Sequence, residues 1–304
     1  MNILLTGGSG FIGNYIYSAF LKNGHKIHTI GMGINDDDYC NLAIETPKLA
    51  SNYDVIIHTA GKAHVVPKSK ADKEEFFNVN FNGTKNLVNG IAALGYLPQS
   101  FVFMSSVAVY GLEKGDEMTE ETERLAIDPY GLSKKKSEDY LLNWGSKNGV
   151  RIGIIRAPLV LGHNSPGNFG AMIKGIKKGL YCNINNGKAR RSMVLAEDLA
   201  NFIPTISKVG GIYHLTDGYH PSFGEISTII AHRLNIRKIL NVSETFAKRL
   251  AKVGDLGQLL TKKECPFTSR KLEKMTSSLT FSDSAARCIG WKPRQVLDNP
   301  NLWL

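Results

Sequence analysis

Four short runs in the first half of this chain are apolar with almost no polar interruption: "NILLT" (2–6), "DVIIHTA" (54–60), "FVFMSS" (101–106) and "RIGIIRA" (151–157). A strand with one wet face alternates apolar and polar residues. Runs like these need cover on both faces, which is the position of strands in a parallel sheet between two helical layers. "KIHTI" (26–30) reads as a further strand. Between the strands lie patterns of helical spacing: about Phe11 to Lys22, "EEFFNVNFNGTKNLVNGIAAL" (74–94), and a segment opening at "DPYGLSKKKSEDY" (128–140). Strands alternating with helices predict an α/β fold with a doubly wound parallel sheet.

The turn after the first run is "TGGSGFIG", which gives Gly7-x-x-Gly10-x-x-Gly13 and also Gly8-x-Gly10-x-x-Gly13. Glycines at these places allow a tight turn, let backbone N–H groups approach a pyrophosphate, and let helix and sheet pack closely. The anion then sits at the helix N-terminus, among free N–H donors. Strand before and helix after are the context that this motif requires. Gly7, Gly10, Phe11, Ile12 and Gly13 are therefore candidates for binding a dinucleotide on a Rossmann sheet. The acid that should grip the adenosine ribose lies ~20 residues on, at the end of the second strand. Gly31 stands there. Asp36, Asp37 and Asp38 come late for that role and read as a solvated turn, and no arginine is at hand for a 2′-phosphate.

Tyr130 and Lys134 are spaced i and i+4, so a helix carries them on one side. Taken alone, the segment also fits an amphipathic surface helix with Lys134, Lys135 and Lys136 in solvent. After about residue 158 the strand–helix rhythm breaks up. Residues 1–160 read as the dinucleotide domain and 161–304 mainly as a smaller C-terminal lobe, with about 191–220 ("SMVLAEDLANFI", "GIYHLTDG") returning to the sheet.

Composition narrows the classes. With 42% hydrophobic and 21% charged residues over 304, this is an ordinary globular composition. No apolar run approaches the ~20 residues of a membrane span, and the first residues lack the pattern of a secretory signal, so a cytoplasmic location is expected. Cys40, Cys182, Cys265 and Cys288 are scattered without C-x-x-C spacing, which points away from structural zinc and from disulfides. No metal site is expected. The formal net charge is +10, and residues 232–275 hold eleven Lys/Arg against four acids, a surplus of seven. That balance suits an anionic partner: a phosphorylated small molecule, a nucleic acid or an acidic membrane surface. No nucleic-acid module is recognisable, and nucleic acid is not expected as a partner.

With the glycine loop, "FMSSVAVYG" and the Tyr130/Lys134 pair in view, the chain resembles the extended short-chain dehydrogenase/reductase family. It is most similar to the nucleotide-sugar epimerase and 4-ketoreductase branch, and within it to enzymes of bacterial surface-polysaccharide synthesis. "DVIIHTAGKAHV", "NVNFNGTKNLV", "IIRAPLVLG", "GNFGAMI", "ARRSMVLAEDLA" and "SSLTFSDSAARCIGWKP" resemble further family segments in the family's order, with Ala157 and Leu161 as departures.

The resemblance implies roles. Tyr130 would be the general acid/base, Lys134 would hold the nicotinamide ribose, and Ser106 rather than Ser105 would steady the substrate oxygen. Bringing a phenol from ~10 to about 7 takes roughly 4 kcal/mol of phenolate stabilisation, expected here from the Lys134 ammonium and the nicotinamide ring. Ala60 and Gly61 would line the cofactor, and Asn41 and Leu42 the adenine. Asn168 and Arg191 would contact the diphosphate, an arginine fork being well matched to phosphate oxygens. His58 reads as a packed core residue, His64 as a neighbour of the substrate, and Ser278 as a small residue leaving room for an N-acetyl group. The cofactor is NAD or NADP, with NAD the first expectation.

Val107 and Ala108 cannot pass a proton, which removes a sugar 4,6-dehydratase. A 4-epimerase of a UDP-hexose or UDP-N-acetylhexosamine is expected. The alternatives are a 4-ketoreductase of a UDP-4-keto-6-deoxy-N-acetylhexosamine and a non-catalytic dinucleotide sensor or scaffold. A homodimer is a family expectation only.

Overall fold

Ile3, Leu4 and Leu5 are all fully buried, yet they belong to two different cores. Ile3 and Leu5 pack with Ile16 and Phe20 of the following helix, and Leu4 packs with Leu87, Val88 and Ile91 on the other side. Period-two alternation inside an unbroken apolar run is what a strand covered on both faces requires. A computed structural model describes residues 1–261, 265 and 267–304, so Lys262, Lys263 and Glu264 of the basic stretch lie outside the described residues.

The first half runs β1 (Asn2–Thr6), α1 (Phe11–Lys22), β2 (Lys26–Gly31), β3 (Asp38–Tyr39), β4 (Val55–His58), α2 (Lys70–Phe76), α3 (Gly83–Ala93), β5 (Ser100–Ser106), β6 (Gly115–Met118), α4 (Pro129–Asn148) and β7 (Arg151–Ala157). The second half runs β8 (Leu159–Leu161), α5 (Gly167–Lys177), β9 (Cys182–Ile184), β10 (Met193–Leu195), α6 (Ala196–Val209), β11 (Gly211–Tyr213), α7 (Phe223–Arg233), β12 (Leu240–Val242), α8 (Glu244–Thr261), α9 (Ser269–Thr276), β13 (Leu279–Phe281) and α10 (Ser284–Cys288). Among the described residues seven strands form one sheet in the order β11-β7-β5-β4-β1-β2-β3, every neighbouring pair parallel. The strand order reverses between β1 and β4. In doubly wound sheets, ligands bind at that switch point, outside the carboxyl ends of the strands.

Two departures from the sequence reading bear on function. The stretch 74–94 is not one regular helix: α2 and α3 are joined by a π-helical turn, Phe77–Asn82, whose wider ring turns Asn80 inward. The stretch 191–220 divides. β10 pairs with β8 outside the central sheet, whereas α6 covers the sheet through Leu199, Ile203 and Ile206, and β11 joins its edge beside β7. The remaining short strands pair as β9 with β12 and β6 with β13. No described helix is long and apolar enough to cross a membrane.

Candidate active site

One cavity lies at the carboxyl ends of β1, β4, β5 and β7, lined among others by Phe11, Ile12, Gly61, Ser106, Tyr130 and Lys134. The glycine loop leads into it, since Phe11 and Ile12 directly after Gly10 line it. Gly7 has φ +71°, and a Cβ there would stand 2.7 Å from the backbone N of Ala60; a Cβ on Gly13 would stand 2.0 Å from the carbonyl oxygen of Gly7. Neither position can carry a side chain, so the loop packs closely against the turn after β4 and against itself. The first turn of α1 has no side-chain cap and no acidic residue, leaving its N–H donors to an anion. These features fit a dinucleotide pyrophosphate at Gly7, Gly10, Phe11, Ile12 and Gly13, with Ala60 and Gly61 beside it.

Asp36, Asp37 and Asp38 do not form a solvated turn. Asp37 accepts hydrogen bonds from the backbone N (2.7 Å) and Oγ1 (2.9 Å) of Thr29. Asp38 pairs with His28 at 2.7 Å. Together they fold the chain back so that β3 runs beside β2. Asp36 lands elsewhere. Its Oδ2 accepts from Gly33 N at 2.8 Å and from Ser9 Oγ at 3.3 Å, and it lies 2.5 Å from where a Cβ on Gly31 would be. The carboxylate missing at residue 31 is thus supplied in the same space by residue 36, next to the glycine loop.

Asp128 caps α4, its Oδ1 accepting from Gly131 N at 3.0 Å, and Pro129 occupies the first turn. That cap sets the helix start so that Tyr130 and Lys134 face the cavity. Tyr130 and Ser106 both line the cavity, and the Tyr130 ring packs edge-on against that of Phe76, ring centres 6.1 Å apart. Ser105 turns away and donates to Glu138. Lys134 is buried, donates to the Met104 carbonyl at 2.8 Å and lies 4.7 Å above the Phe103 ring. Burial pulls its pKa down to about 8, against the opposing pull of Glu138.

The expected direction for Tyr130 is reversed in the chain alone. Burial raises its pKa above the ordinary phenol value, the neighbouring Ser106 hydroxyl opposes this, and Asp128 adds to it; Lys134 is not among the causes. In the chain alone burial therefore favours the neutral phenol. The sequence reading of Lys135 also changes, since it is half-buried and donates to the Arg124 carbonyl at 2.6 Å, whereas Lys136 is exposed.

Sequence reasoning missed the supports of this site. Glu138 is fully buried one turn beyond Lys134 and accepts from Arg156 Nη2 at 2.9 Å and Arg124 Nη1 at 3.1 Å. Arg156 continues to the Tyr110 hydroxyl at 2.8 Å, which shares a hydrogen bond of 2.7 Å with His214. Asn80 bonds the backbone N of Lys62 at 2.7 Å and Ser133 Oγ at 2.9 Å, tying the loop after β4 to α4 between Tyr130 and Lys134. The segments "NVNFNG" and "IIRA" signalled both, but spacing could not say what they would meet.

Of the other candidates, only His64 lines the cavity. His58 is a core residue sharing hydrogen bonds with Thr6 (2.6 Å) and Thr84 (3.0 Å), and burial lowers its pKa to about 3. Leu42 is buried, and its carbonyl accepts from Asn86 at 2.8 Å; Asn41 Oδ1 caps the following turn by accepting from Ala43 N at 3.1 Å. His64, with φ +61°, lines the cavity beside Gly167. Asn168 is exposed at the start of α5 and outside the cavity lining. Arg191 also lies outside that lining. Its guanidinium donates to the carbonyls of Ser277 and Lys274 and sits 5.6 Å from the Phe223 ring centre. Ser278 accepts from Arg190 N at 3.0 Å.

Over residues 3–213 the chain matches the NAD dependent epimerase/dehydratase family. It is 26% identical over 316 residues to the UDP-glucose 4-epimerase of Vibrio cholerae, covering 97% of this chain and 92% of that protein. It is 24% identical over 318 residues to the N-acetyl-alpha-D-glucosaminyl-diphospho-ditrans,octacis-undecaprenol 4-epimerase of Escherichia coli O157:H7, covering 95% and 90%. The UDP-N-acetylglucosamine 4-epimerase from Methanobrevibacter ruminantium M1, solved with UDP-N-acetylmuramic acid, shares the fold with a TM-score of 0.74 at 20% identity, over 96% of this chain and 93% of that one. The chain is an enzyme of the NAD-dependent epimerase/dehydratase family, in the nucleotide-sugar epimerase branch of the extended short-chain dehydrogenase/reductases.

Proposed function

We propose that the chain is an NAD-dependent 4-epimerase acting at C4 of a UDP-hexose or UDP-N-acetylhexosamine. The observation that carries this reading is the convergence of Ser106, Tyr130 and Lys134 on one cavity beside the start of α1, where the glycine loop ends. Full-length similarity to 4-epimerases supports the reaction class. Tyr130 exchanges the proton of the C4 hydroxyl, Ser106 hydrogen-bonds that oxygen, and Lys134 holds the nicotinamide ribose. A bound nicotinamide supplies reversible hydride transfer and a positive charge near the phenol. Since the chain alone raises the Tyr130 pKa, this reading makes ionisation of the phenol depend on an occupied cofactor site. Asn168 and Arg191 are proposed diphosphate contacts, which requires the substrate to extend past His64 beyond the cavity lining.

Asp36 supports NAD over NADP. A carboxylate beside Ser9 and the glycine loop accepts hydrogen bonds from a ribose diol and repels a 2′-phosphate.

The test is to denature freshly purified protein and identify released nucleotide, then to follow UDP-glucose and UDP-N-acetylglucosamine by NMR for inversion at C4. Retained NAD with inversion supports the epimerase. A protein that is empty, binds NADPH or NADH reversibly and reduces a UDP-4-keto-6-deoxy sugar without inverting either substrate would replace this reading by the ketoreductase.

A further inference from the structure

Helix α8 has two apolar faces, and among the described residues only one packs within the fold. Ala247 and Ala251 are buried against Ile184 and Leu272, with Val242 and Phe267 at the edge of the cluster. On the outward side Phe246, Leu250, Val253, Leu256 and Leu260 are 59, 49, 66, 56 and 74% exposed. Their spacing of four, three, three and four residues lines them up as one stripe about 21 Å long. Exposed apolar residues scattered singly need no explanation, but a continuous row on one helix does.

The charge around the stripe says what covers it. Lys248, Arg249 and Lys252 lie on the same helix, and Lys271 and Lys274 come from α9, within a stretch holding a surplus of seven positive charges. Two of the acids nearby have partners: Glu244 pairs with Lys248 at 2.7 Å, and Asp255 accepts from Ser269 N at 3.0 Å. Lys274 pairs in turn with Glu113. A second copy docked stripe to stripe about a two-fold axis would bring two of these basic lobes face to face. A nucleic acid would match the charge and leave the leucines without a partner. An anionic lipid surface satisfies both, taking the apolar row into the acyl boundary while lysine and arginine heads reach the phosphates.

We propose that α8 is an interfacial helix that docks this enzyme on anionic bilayers. This inference does not depend on which sugar the active site accepts. It has a consequence for orientation, because α8 packs on α9, whose last carbonyls hold Arg191. The lobe proposed to take the diphosphate would then be the one nearest the membrane.

The experiment is flotation of the full chain with vesicles of phosphatidylglycerol and phosphatidylethanolamine, and in parallel with phosphatidylcholine alone. Co-flotation with the first, falling as salt rises, and none with the second is expected. The double variant Leu250→Asp/Val253→Asp, on exposed positions, should lower the bound fraction about tenfold or more, with unchanged circular dichroism and unchanged dinucleotide binding. A variant that floats as well as wild type would reduce the interaction to charge alone and overturn the proposal, as would a wild type that floats with neither vesicle. Sedimentation velocity decides the remaining case: a wild-type dimer that the double variant converts to monomer would assign the stripe to a second copy.

Discussion

Helices α4 and α8 break the usual helical pattern in opposite directions. α4 buries Ser133, Lys134, Ser137 and Glu138, whereas α8 leaves Phe246, Leu250, Val253 and Leu260 in the open. A helix stabilised only by packing would do neither. On α4 the buried polar groups are matched one by one: Lys134 by the Met104 carbonyl, Glu138 by Arg156 and Arg124, Ser133 by Asn80. The burial therefore costs little as long as every partner stays, and it holds a phenol and an ammonium in fixed relation to the glycine loop. On α8 the outward row of apolar side chains is exposed among the described residues. Misplaced polarity inside marks chemistry, and misplaced apolarity outside marks an interface.

The largest effect that would sharpen this contrast is on α4. Glu138→Ala leaves Arg156 buried and unpaired and should destabilise the fold by about 3–5 kcal/mol in urea denaturation, with Glu138→Gln milder. A loss under about 1 kcal/mol would mean that the network is not structurally committed. Next comes the chemistry: Tyr130→Phe should cut turnover about a thousandfold while dinucleotide affinity, read by fluorescence titration, holds. Activity within a few-fold of wild type would remove Tyr130 from the acid/base role.

The pH dependence tests the burial of Lys134 directly. Its folded pKa of about 8 lies below the ordinary 10.5, so between those values the unfolded chain holds a proton that the folded chain has released, and stability rises with pH. From pH 7 to 10 wild type should gain roughly 2 to 3 kcal/mol relative to Lys134→Met. A flat difference would show that the ammonium is well solvated. A smaller effect concerns the cofactor. Asp36→Ala should weaken NAD binding about tenfold and narrow the preference over NADP, and unchanged selectivity would leave the ribose to another group. The smallest belongs to α8, where Leu250→Ala should change stability by no more than about 0.5 kcal/mol. A large loss would mean that this face packs within the fold after all.

The sequence by itself determined what is local or periodic. Unbroken runs such as "NILLT" and "FVFMSS" require a sheet covered on both sides, and Gly7, Gly10 and Gly13 between strand and helix require backbone to face a ligand. The i, i+4 spacing puts Tyr130 and Lys134 on one side, and the order of the elements leads to the doubly wound topology. Only the tertiary structure decided what depends on partners distant in the chain. Asp36 reaches the space above Gly31 because Asp37 and Asp38 fold the strand back. Asn80 reaches Lys62 and Ser133 because of a π turn, and Glu138 in the middle of α4 meets Arg156 near the end of β7. Arg191 lies against α9 and outside the cavity lining. Even the direction of the Tyr130 shift was out of reach of spacing: an ammonium one turn away would lower it, but desolvation by the surrounding core raises it. Residue spacing reports which groups share a face, whereas burial and charge depend on what the rest of the chain brings to that face.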